Sequence, residues 1–271
     1  MDRYVVIGNP VSHSLSPEIH ASFAHALGET LDYGRLLVPL GGFEQAARAF
    51  FDAGGLGANV TLPFKIDAFD FAQAASERAR LAGAANFLAR RGTRLEADNT
   101  DGAGLVADLE GNLGLKLRGA RILVIGAGGA ARGVLAPLLA MQPESLVIAN
   151  RTASRAIEVA AHFRSRGDVR GVALEAIEPG RYDLVVNATS TSTRGEALEL
   201  PGHLLGAGTF AYDMAYGPAA RAFLANARAH GARASDGLGM LVEQAAESFA
   251  LWRGKRPATA SVLTQLRQRF P

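Results

Sequence analysis

A short apolar run followed at once by three closely spaced glycines constrains the fold of this chain more than any other feature. Residues 122–125, Ile-Leu-Val-Ile, have the composition of a buried parallel strand. Residues 126–131 follow, and Gly126, Gly128 and Ala131 fit the dinucleotide-binding fingerprint in its alanine-ending form. Gly126 permits a tight turn, Gly128 lets a pyrophosphate approach the backbone, and Ala131 allows close packing of helix on strand. We therefore expect a helix whose N-terminus faces phosphate groups.

The residues after the next strand indicate which dinucleotide binds. Residues 145–149 are predicted to form that strand, and an NAD-binding chain usually places an acidic residue near its end. Here residues 150–155 read Asn-Arg-Thr-Ala-Ser-Arg. Arg151 and Arg155, four apart, are predicted to share a helix face, and with Thr152 they would form a basic pocket for a ribose 2′-phosphate. The sequence thus favours NADP over NAD.

A polar cluster lies in the first third of the chain. Residues 57–65 read Gly-Ala-Asn-Val-Thr-Leu-Pro-Phe-Lys. Alternation places Asn59 and Thr61 on one side of an extended segment, and Pro63 suits the first turn of a following helix, with Lys65 just inside it. Such a cluster can hold a small polyhydroxylated molecule while the amine exchanges a proton with it. Taken alone, the stretch is better explained as a solvated turn with an exposed lysine. Together with other segments of the chain, it is better explained as part of a binding site.

In combination these segments resemble the shikimate dehydrogenase family, and the similarity runs from end to end. The segments that carry it are residues 8–17 (Gly-Asn-Pro-Val-Ser-His-Ser-Leu-Ser-Pro), 59–65, 98–102 (Asp-Asn-Thr-Asp-Gly), the glycine loop, 150–152, 187–190 (Asn-Ala-Thr-Ser), and 237–241 (Gly-Leu-Gly-Met-Leu) with Gln244. Ser-x-Ser-Pro near the start together with Asn-x-Thr-x-Pro-x-Lys is especially specific. One departure is Phe87, which follows Asn86 where a threonine is more usual.

The resemblance implies NADPH-dependent, reversible reduction of 3-dehydroshikimate to shikimate, a step of aromatic amino-acid biosynthesis. It implies that Lys65 and Asp101 form the catalytic pair, and it leaves open which of them transfers the proton. The implied substrate-binding residues are Ser14, Ser16, Asn59, Thr61, Asn86, Asp101 and Gln244. Either Tyr212 or Tyr216 can reach the cleft, and Tyr216 is included in the predicted site. The predicted cofactor-binding residues are Gly126, Ala127, Gly128, Gly129, Ala130, Asn150, Arg151, Thr152, Arg155, Thr189, Met214 and Gly237.

Some of these side chains have competing explanations. Ser16 precedes Pro17, the pattern of an N-cap before a proline at the first helical position, so its hydroxyl is also explained as a cap. Ser14 has no such competing role and is favoured as the ligand of the substrate carboxylate. Asn187 and Thr189 end a predicted strand, where ligand contacts and turn capping are almost equally good explanations.

Composition predicts a soluble enzyme. The chain has 271 residues, enough for two domains, with 48% hydrophobic and 20% charged residues. A net charge of +2 and the lack of basic runs interleaved with aromatics argue against nucleic-acid binding. The absence of cysteine excludes disulfides and thiol catalysis, and the spacing of His13, His20 and His25 argues against a metal site. No apolar run approaches the ~20 residues of a membrane span or a signal peptide, so a cytoplasmic protein is expected.

Strands and helices alternate along the chain, which predicts an α/β fold with mostly parallel sheets. Strands are predicted at 4–7, 36–39, 184–186 and 209–212, a hairpin joins 86–89 to 93–97, and helices are predicted at 17–27, 43–53, 239–252 and 259–269. Pro137 predicts a kink or early end of the helix after the glycine loop.

The resemblance implies two domains with the ligand cleft between them. Residues 1–101 would form an α/β substrate domain, and 102–237 an inserted Rossmann-like NADP-binding domain. Residues 238–271 would return to the first domain as helices, with Asp101 and Gly237 at the crossings. A monomer or a homodimer is expected.

Two other functions fit parts of the pattern. An NAD-using quinate/shikimate dehydrogenase is disfavoured because Arg151 stands where an acid would favour NAD. A non-catalytic NADPH-sensing binding protein need not keep Lys65 and Asp101, and both are present.

Overall fold

The computed structural model describes residues 1–192, 196, 198 and 200–270, which build two α/β units, each around its own sheet. The strands of the first sheet are β1 (Asp2–Gly8), β2 (Leu31–Leu37), β3 (Gly57–Val60), β4 (Ala74–Ala75), β5 (Phe87–Arg91) and β6 (Arg94–Asp98). The helices connecting them are α1 (Ser16–Leu27), α2 (Phe43–Asp52), α3 (Lys65–Phe71) and α4 (Glu77–Ala82). The predicted α/β class is confirmed.

The first sheet is mixed, in the order β2-β1-β3-β5-β6-β4. Strand β1 pairs in parallel with β2 and β3, whereas β5 runs antiparallel to both β3 and β6. The predicted hairpin is present and turns at Gly92, whose φ of 62° favours glycine. Because of these directions, the segments after β1, β3 and β6 and the segment before β5 meet at one edge of the sheet. That edge carries the polar cluster.

The second sheet is parallel throughout, in the order β12-β11-β10-β7-β8-β9. Its strands are β7 (Arg121–Ile125), β8 (Ser145–Asn150), β9 (Val169–Ala173), β10 (Leu184–Asn187), β11 (Phe210–Asp213) and β12 (Arg233–Asp236). Helices α6 (Gly129–Ala140), α7 (Ala153–Phe163) and α8 (Arg221–Ala229) connect them. The strand order reverses between β7 and β10, where doubly wound sheets bind their ligands.

Three further helices join the two units. Helix α5 (Asp101–Ala107) links the first sheet to the second, and α9 (Leu238–Arg253) and α10 (Ala260–Arg267) follow the last strand. Helix α9 packs on α1 and α10 through a core that includes Phe23 and Phe249, and it also crosses α5 closely. The C-terminal helices therefore return to the first sheet. The proposed boundaries after residues 101 and 237 stay predictions, and residue 271 lies outside the described residues.

Several local predictions need correction. Helix α6 does not end early at Pro137 but continues to Ala140. The strand predicted at 36–39 is β2, which starts at Leu31 and ends at Leu37 because its pairing with β1 sets its length. Pro63 precedes α3 instead of lying in its first turn, in a segment that contains the cis Leu62–Pro63 bond. No helix among the described residues is long and apolar enough to cross a membrane.

Candidate active site

A lysine and an aspartate from separate segments meet at the polar edge of the first sheet. Lys65 is the first residue of α3 and Asp101 the first residue of α5. The Nζ of Lys65 donates to Oδ2 of Asp101 at 2.5 Å, and the side chains are only 13% and 6% exposed. This partly buried ion pair places an ammonium group and a carboxylate side by side, an arrangement suited to proton transfer.

Asn86 holds the second carboxylate oxygen of Asp101. Its Nδ2 donates to Asp101 Oδ1 at 2.9 Å and to Gln244 Oε1 at 3.2 Å. Its Oδ1 accepts the backbone N–H of Thr100 at 2.7 Å. Asn86 is 3% exposed and Gln244 8% exposed, so Asn86 fixes the Asp101 carboxylate from the protein side and Gln244 holds Asn86. The structure thus brings Lys65, Asn86, Asp101 and Gln244 into one cluster.

Asn59 lies behind this cluster, and its amide already bonds to three protein groups. Its Nδ2 donates to Ser248 Oγ at 2.9 Å and to the Asn86 carbonyl at 3.2 Å. Its Oδ1 accepts the Tyr33 hydroxyl at 2.8 Å. Because Asn59 is 5% exposed, its observed contacts orient the neighbours of the catalytic pair, and its direct contact with substrate stays a prediction.

A buried histidine stands behind Tyr33. The His20 ring stacks on the Tyr33 ring with centroids 4.3 Å apart and an interplanar angle of 8°. It is fully buried, and neither ring nitrogen has a hydrogen-bond partner among the described residues. Burial lowers the pKa of His20 to about 3, and the nearby Asn59 amide opposes this only in part. His20 is therefore neutral at physiological pH and packs as an aromatic ring.

The two serines lie together at the far side of the cluster. Ser14 Oγ donates to Ser16 Oγ at 3.2 Å and accepts the Ser16 backbone N–H at 3.3 Å. The predicted capping by Ser16 is wrong: Ser16 is the first helical residue and its side chain caps nothing, whereas Ser14 accepts the first helical N–H. The preference for Ser14 as ligand of the substrate carboxylate stays a prediction. Arg35 holds this segment by donating from Nε and Nη2 to the Ser14 carbonyl at 3.1 and 2.6 Å.

Thr61 and Tyr216 are the remaining two residues that the sequence analysis predicts to bind substrate. Thr61 packs its Cγ2 methyl against Gly8, where any Cβ would collide with it. Burial raises the pKa of Tyr216, and this effect is reduced by the nearby Leu15 backbone and by the charge of Arg35, so its hydroxyl lies beside the serine segment. Tyr212 is fully buried and donates to Asp108 at 2.7 Å. The geometry therefore favours Tyr216 over Tyr212 as the residue that lines the cleft.

The glycine loop has the space that a dinucleotide pyrophosphate requires. Gly126 has φ 115°, and a Cβ there would lie 3.0 Å from the Ala188 carbonyl oxygen. A Cβ on Gly128 would meet no atom within 4 Å, and no side chain caps α6. Gly129 lies across from the catalytic cluster, because a Cβ there would be 3.8 Å from Lys65 Cβ. The loop is open to a phosphate and adjacent to the lysine, and Ala127 and Ala130 flank these glycines.

The basic residues after β8 also fit a phosphate, although not as the sequence predicted. Helix α7 begins at Ala153, with Thr152 as its N-cap, so Arg151 lies before the helix and shares no helix face with Arg155. Both arginines and Thr152 are exposed, and neither arginine forms an ion pair with a carboxylate in the described part of the chain. Asn150 Nδ2 donates to the Thr152 carbonyl at 3.0 Å and shapes this turn. The fit to a 2′-phosphate thus rests on two free guanidinium groups around a helix start.

Buried polar residues shape the remaining loops at this edge. Asn187 Oδ1 accepts from Thr189 N–H at 3.1 Å and Oγ1 at 2.7 Å, and its Nδ2 donates to Asp213 at 3.1 Å. Asn187 is therefore a turn-capping residue with no exposure. Gly237 lies directly on the Met214 backbone, where a side chain would collide. Thr189, Met214 and Gly237 consequently line the same edge as the glycine loop.

Family models match most of the chain. The models described as the shikimate dehydrogenase substrate binding domain, shikimate/quinate 5-dehydrogenase, and the shikimate 5′-dehydrogenase C-terminal domain match residues 6–88, 109–195 and 237–267. The chain is also 52% identical over 275 residues to a shikimate dehydrogenase (NADP(+)) from Cupriavidus necator, covering 98% of this chain and 93% of the relative.

The chain belongs to the shikimate dehydrogenase family. A second relative of that name, from Aromatoleum aromaticum, is 53% identical over 276 residues, covering 100% of this chain and 98% of the relative. Among solved structures, the shikimate 5-dehydrogenase from Thermus thermophilus in complex with NADP(H) and shikimate has a TM-score of 0.87. It is 33% identical, with 99% of each chain covered. The predicted family membership is confirmed.

The sequence analysis missed several residues of this site. Ser248 lies one helical turn after Gln244, so the four-residue spacing was a usable signal. Thr100 belongs to the segment 98–102 that carries the family resemblance but was not predicted as a site residue, and its hydroxyl lies 3.2 Å from Ser248 Oγ. Tyr33 and Arg35 are two residues apart on β2, so their side chains point to the same face of the sheet. No sequence pattern, however, connects β2 to the serines.

Proposed function

We propose that this protein catalyses the reversible, NADPH-dependent reduction of 3-dehydroshikimate to shikimate. The observation that carries the proposal is the Lys65–Asp101 pair held by Asn86 and lying next to Gly129 of the phosphate-binding loop. Family membership and the NADP in the names of close relatives support it. The free arginines at the start of α7 support the choice of NADP over NAD.

The residues act on the proton while the cofactor, when bound, supplies the hydride. Oxygen gains negative charge as a ketone is reduced, and the Lys65 ammonium group lies where it can stabilise that charge and donate a proton. Asp101 holds Lys65 through one oxygen and keeps the other bonded to Asn86. In this proposal, Asp101 also accepts a bond from a substrate hydroxyl, and Lys65 receives the proton in the reverse direction.

The remaining predicted residues bind substrate and cofactor in this proposal. Ser14, Ser16, Thr61, Gln244 and Tyr216 hold the ring substituents, and Asn59 acts mainly by orienting Asn86. The cofactor contacts are those of the glycine loop, the turn at 150–155, and Thr189, Met214 and Gly237. The domain division at 101/102 and 237/238, a cytoplasmic location and a monomeric or homodimeric state complete the proposal.

A spectrophotometric assay tests the function directly. Purified protein is incubated with shikimate and NADP⁺, and the absorbance of the reduced nicotinamide is followed, with NAD⁺ and with quinate in parallel. We expect turnover with shikimate and NADP⁺ and much lower efficiency with NAD⁺. Equal or better turnover with NAD⁺ and quinate would replace the proposal by the quinate/shikimate alternative. NADPH binding without any turnover would favour the non-catalytic sensor.

A further inference from the structure

Arg35 lies beside the serine segment but belongs to none of the motifs that define the site. It follows Tyr33 by two residues on β2, so both side chains project from the same face of the sheet. Its two bonds to the Ser14 carbonyl anchor the segment that carries Ser14 and Ser16. The position of the backbone that carries both serines is therefore held in part by this guanidinium.

The charge of Arg35 is not neutralised by the protein. Its bonds are to a neutral carbonyl, and no ion pair of Arg35 with a carboxylate occurs in the described part of the chain. Its charge acts on the Tyr216 hydroxyl and lowers the pKa of that group against the effect of burial. A guanidinium that has no carboxylate partner in the described part of the chain, bonds to the serine segment and acts on the Tyr216 hydroxyl favours a carboxylate, whose two oxygens match its donors.

Arg35 and Lys65 lie at the two ends of one series of contacts through the polar cluster. Tyr33 separates the two ends, because its hydroxyl bonds to Asn59 and lies close to Ser16. From Asn59 the contacts continue through Asn86 to Asp101 and Lys65. A ring that carries a carboxylate on one side and its reacting oxygen on the other would contact both ends of this series in one orientation.

We propose that Arg35 is the positioning cation of the carboxylate end of the cleft: it fixes the serine segment and attracts the carboxylate of the substrate. The inference rests on the proposed function, since it takes the substrate to be a ring carboxylate of the shikimate type. It predicts that part of the substrate affinity depends on ionic strength and on residue 35.

The test compares Arg35→Gln, Arg35→Lys and the parent chain, with Arg3→Gln as the matched control. Arg3 is also a guanidinium that donates to a backbone carbonyl, that of Ala53 at 3.0 Å, but it lies away from the serines. For each protein we would measure kcat, the KM of shikimate and of NADP⁺ at low and high salt, and shikimate affinity by calorimetry. The calorimetric measurement does not depend on turnover.

We expect Arg35→Gln to raise the KM and Kd of shikimate about tenfold, the loss of one charge-assisted contact. The KM of NADP⁺ should not change, and most of the salt dependence of kcat/KM should disappear. Arg35→Lys should restore the salt dependence but only part of the affinity, because an ammonium group lacks the forked donors.

Four outcomes would overturn the inference. Unchanged shikimate affinity in Arg35→Gln excludes any role, and an equal loss in Arg3→Gln shows a general effect on the fold. Weakened affinity with an unaltered salt dependence assigns Arg35 to loop structure and excludes attraction of the carboxylate. A parent chain that neither binds nor oxidises shikimate refutes the proposed function itself, and the inference with it.

Discussion

Asp101 uses its two carboxylate oxygens for two different tasks. One oxygen accepts from Lys65 and the other from Asn86, so the position of the ammonium group depends on a buried amide. A buried ion pair is costly to break from one side, because the remaining charge is left unpaired. Substitutions of Lys65 therefore need a test that separates chemistry from folding.

Replacing Lys65 by alanine is expected to lower turnover by about 10²- to 10⁴-fold, the usual contribution of positioned proton transfer. Shikimate binding should change much less, because the serines, Asn86 and Gln244 remain. Turnover is measured in the assay above and binding by calorimetry. The control is Lys255→Ala, which breaks an exposed pair with Glu29 (Nζ to Oε1 3.2 Å) and should leave turnover unchanged. Near-normal turnover of Lys65→Ala would exclude its catalytic role.

His20 gives a second prediction at this scale, on stability. Its pKa falls from 6.5 to about 3 on folding, so below pH 6.5 the unfolded chain binds a proton that the folded chain does not. The free energy of unfolding should therefore fall with decreasing pH, by up to about 1.4 kcal/mol per pH unit from this group. The contribution is complete above pH 6.5 and is lost progressively as the pH falls towards 3.

Urea unfolding between about pH 6.5 and 4.5 measures this slope. His20→Leu should reduce this slope by the amount that corresponds to about one bound proton. The control is His25→Gln, at an exposed position, which should give the slope of the parent. An identical slope in His20→Leu and parent would show that His20 is protonated in the folded protein.

Among the elements, the turn that starts α7 is the one we propose for recognition of the cofactor. Both of its arginines are exposed to solvent, but Arg151 lies before the helix and Arg155 lies in its first turn. Neither arginine forms an ion pair with a carboxylate in the described part of the chain, so both positive charges can interact with a bound phosphate. Under the proposed function, cofactor choice is predicted to depend on one strand end and one helix start.

Arg151→Ala should erode the preference for NADP⁺ over NAD⁺, chiefly by weakening NADP⁺. A lost charge-assisted bond of ~1.5–3 kcal/mol corresponds to roughly 10- to 150-fold in affinity, and Arg155 and Thr152 retain part of it. The ratio of kcat/KM for the two cofactors is measured at equal salt for the parent chain, Arg151→Ala and a control variant, Arg164→Ala. Arg164 is an exposed arginine beyond the far end of α7. A ratio that stays at the parent value rejects the phosphate pocket at Arg151.

At the scale of the whole molecule, two helices connect the chemistry of one unit to the other. Helix α5 starts with Asp101 and α9 carries Gln244, and the two cross at Gly104. A Cβ at position 104 would lie 2.6 Å from Gln244 Cβ and 2.7 Å from its backbone nitrogen. Asp101 and Gln244, a predicted catalytic residue and a predicted substrate residue, are thus held in register by a contact that only glycine permits.

Gly104→Ala should therefore destabilise the protein by about 1–3 kcal/mol, the usual cost of overpacking, and should also reduce kcat/KM for shikimate. Gly111→Ala is the control, because a Cβ there would meet nothing within 4 Å. Thermal unfolding and the shikimate assay are compared for both variants. A fully stable and active Gly104→Ala protein would show that the two helices can separate without disturbing the site.

Local pattern determined much of this protein. The apolar run before Gly126 and the alternation of strands and helices predicted the fold class. The family motifs predicted Lys65, Asn86 and Asp101. All of these signals are short patterns of neighbouring residues in the chain. Tertiary structure decided what lies between those motifs. Tyr33, Asn59 and Ser248 meet only because β2 and β3 flank β1 and α9 returns to the first unit.

The same reason explains the corrected predictions. The length of β2 is set by its pairing with β1. Helix α7 starts after Thr152, so the four-residue spacing of Arg151 and Arg155 did not show where the helix begins. Arg35 joined the serine segment through contacts between residues 21 positions apart. Hydrogen bonds between distant residues depend on strand order and helix packing, which no window of sequence contains.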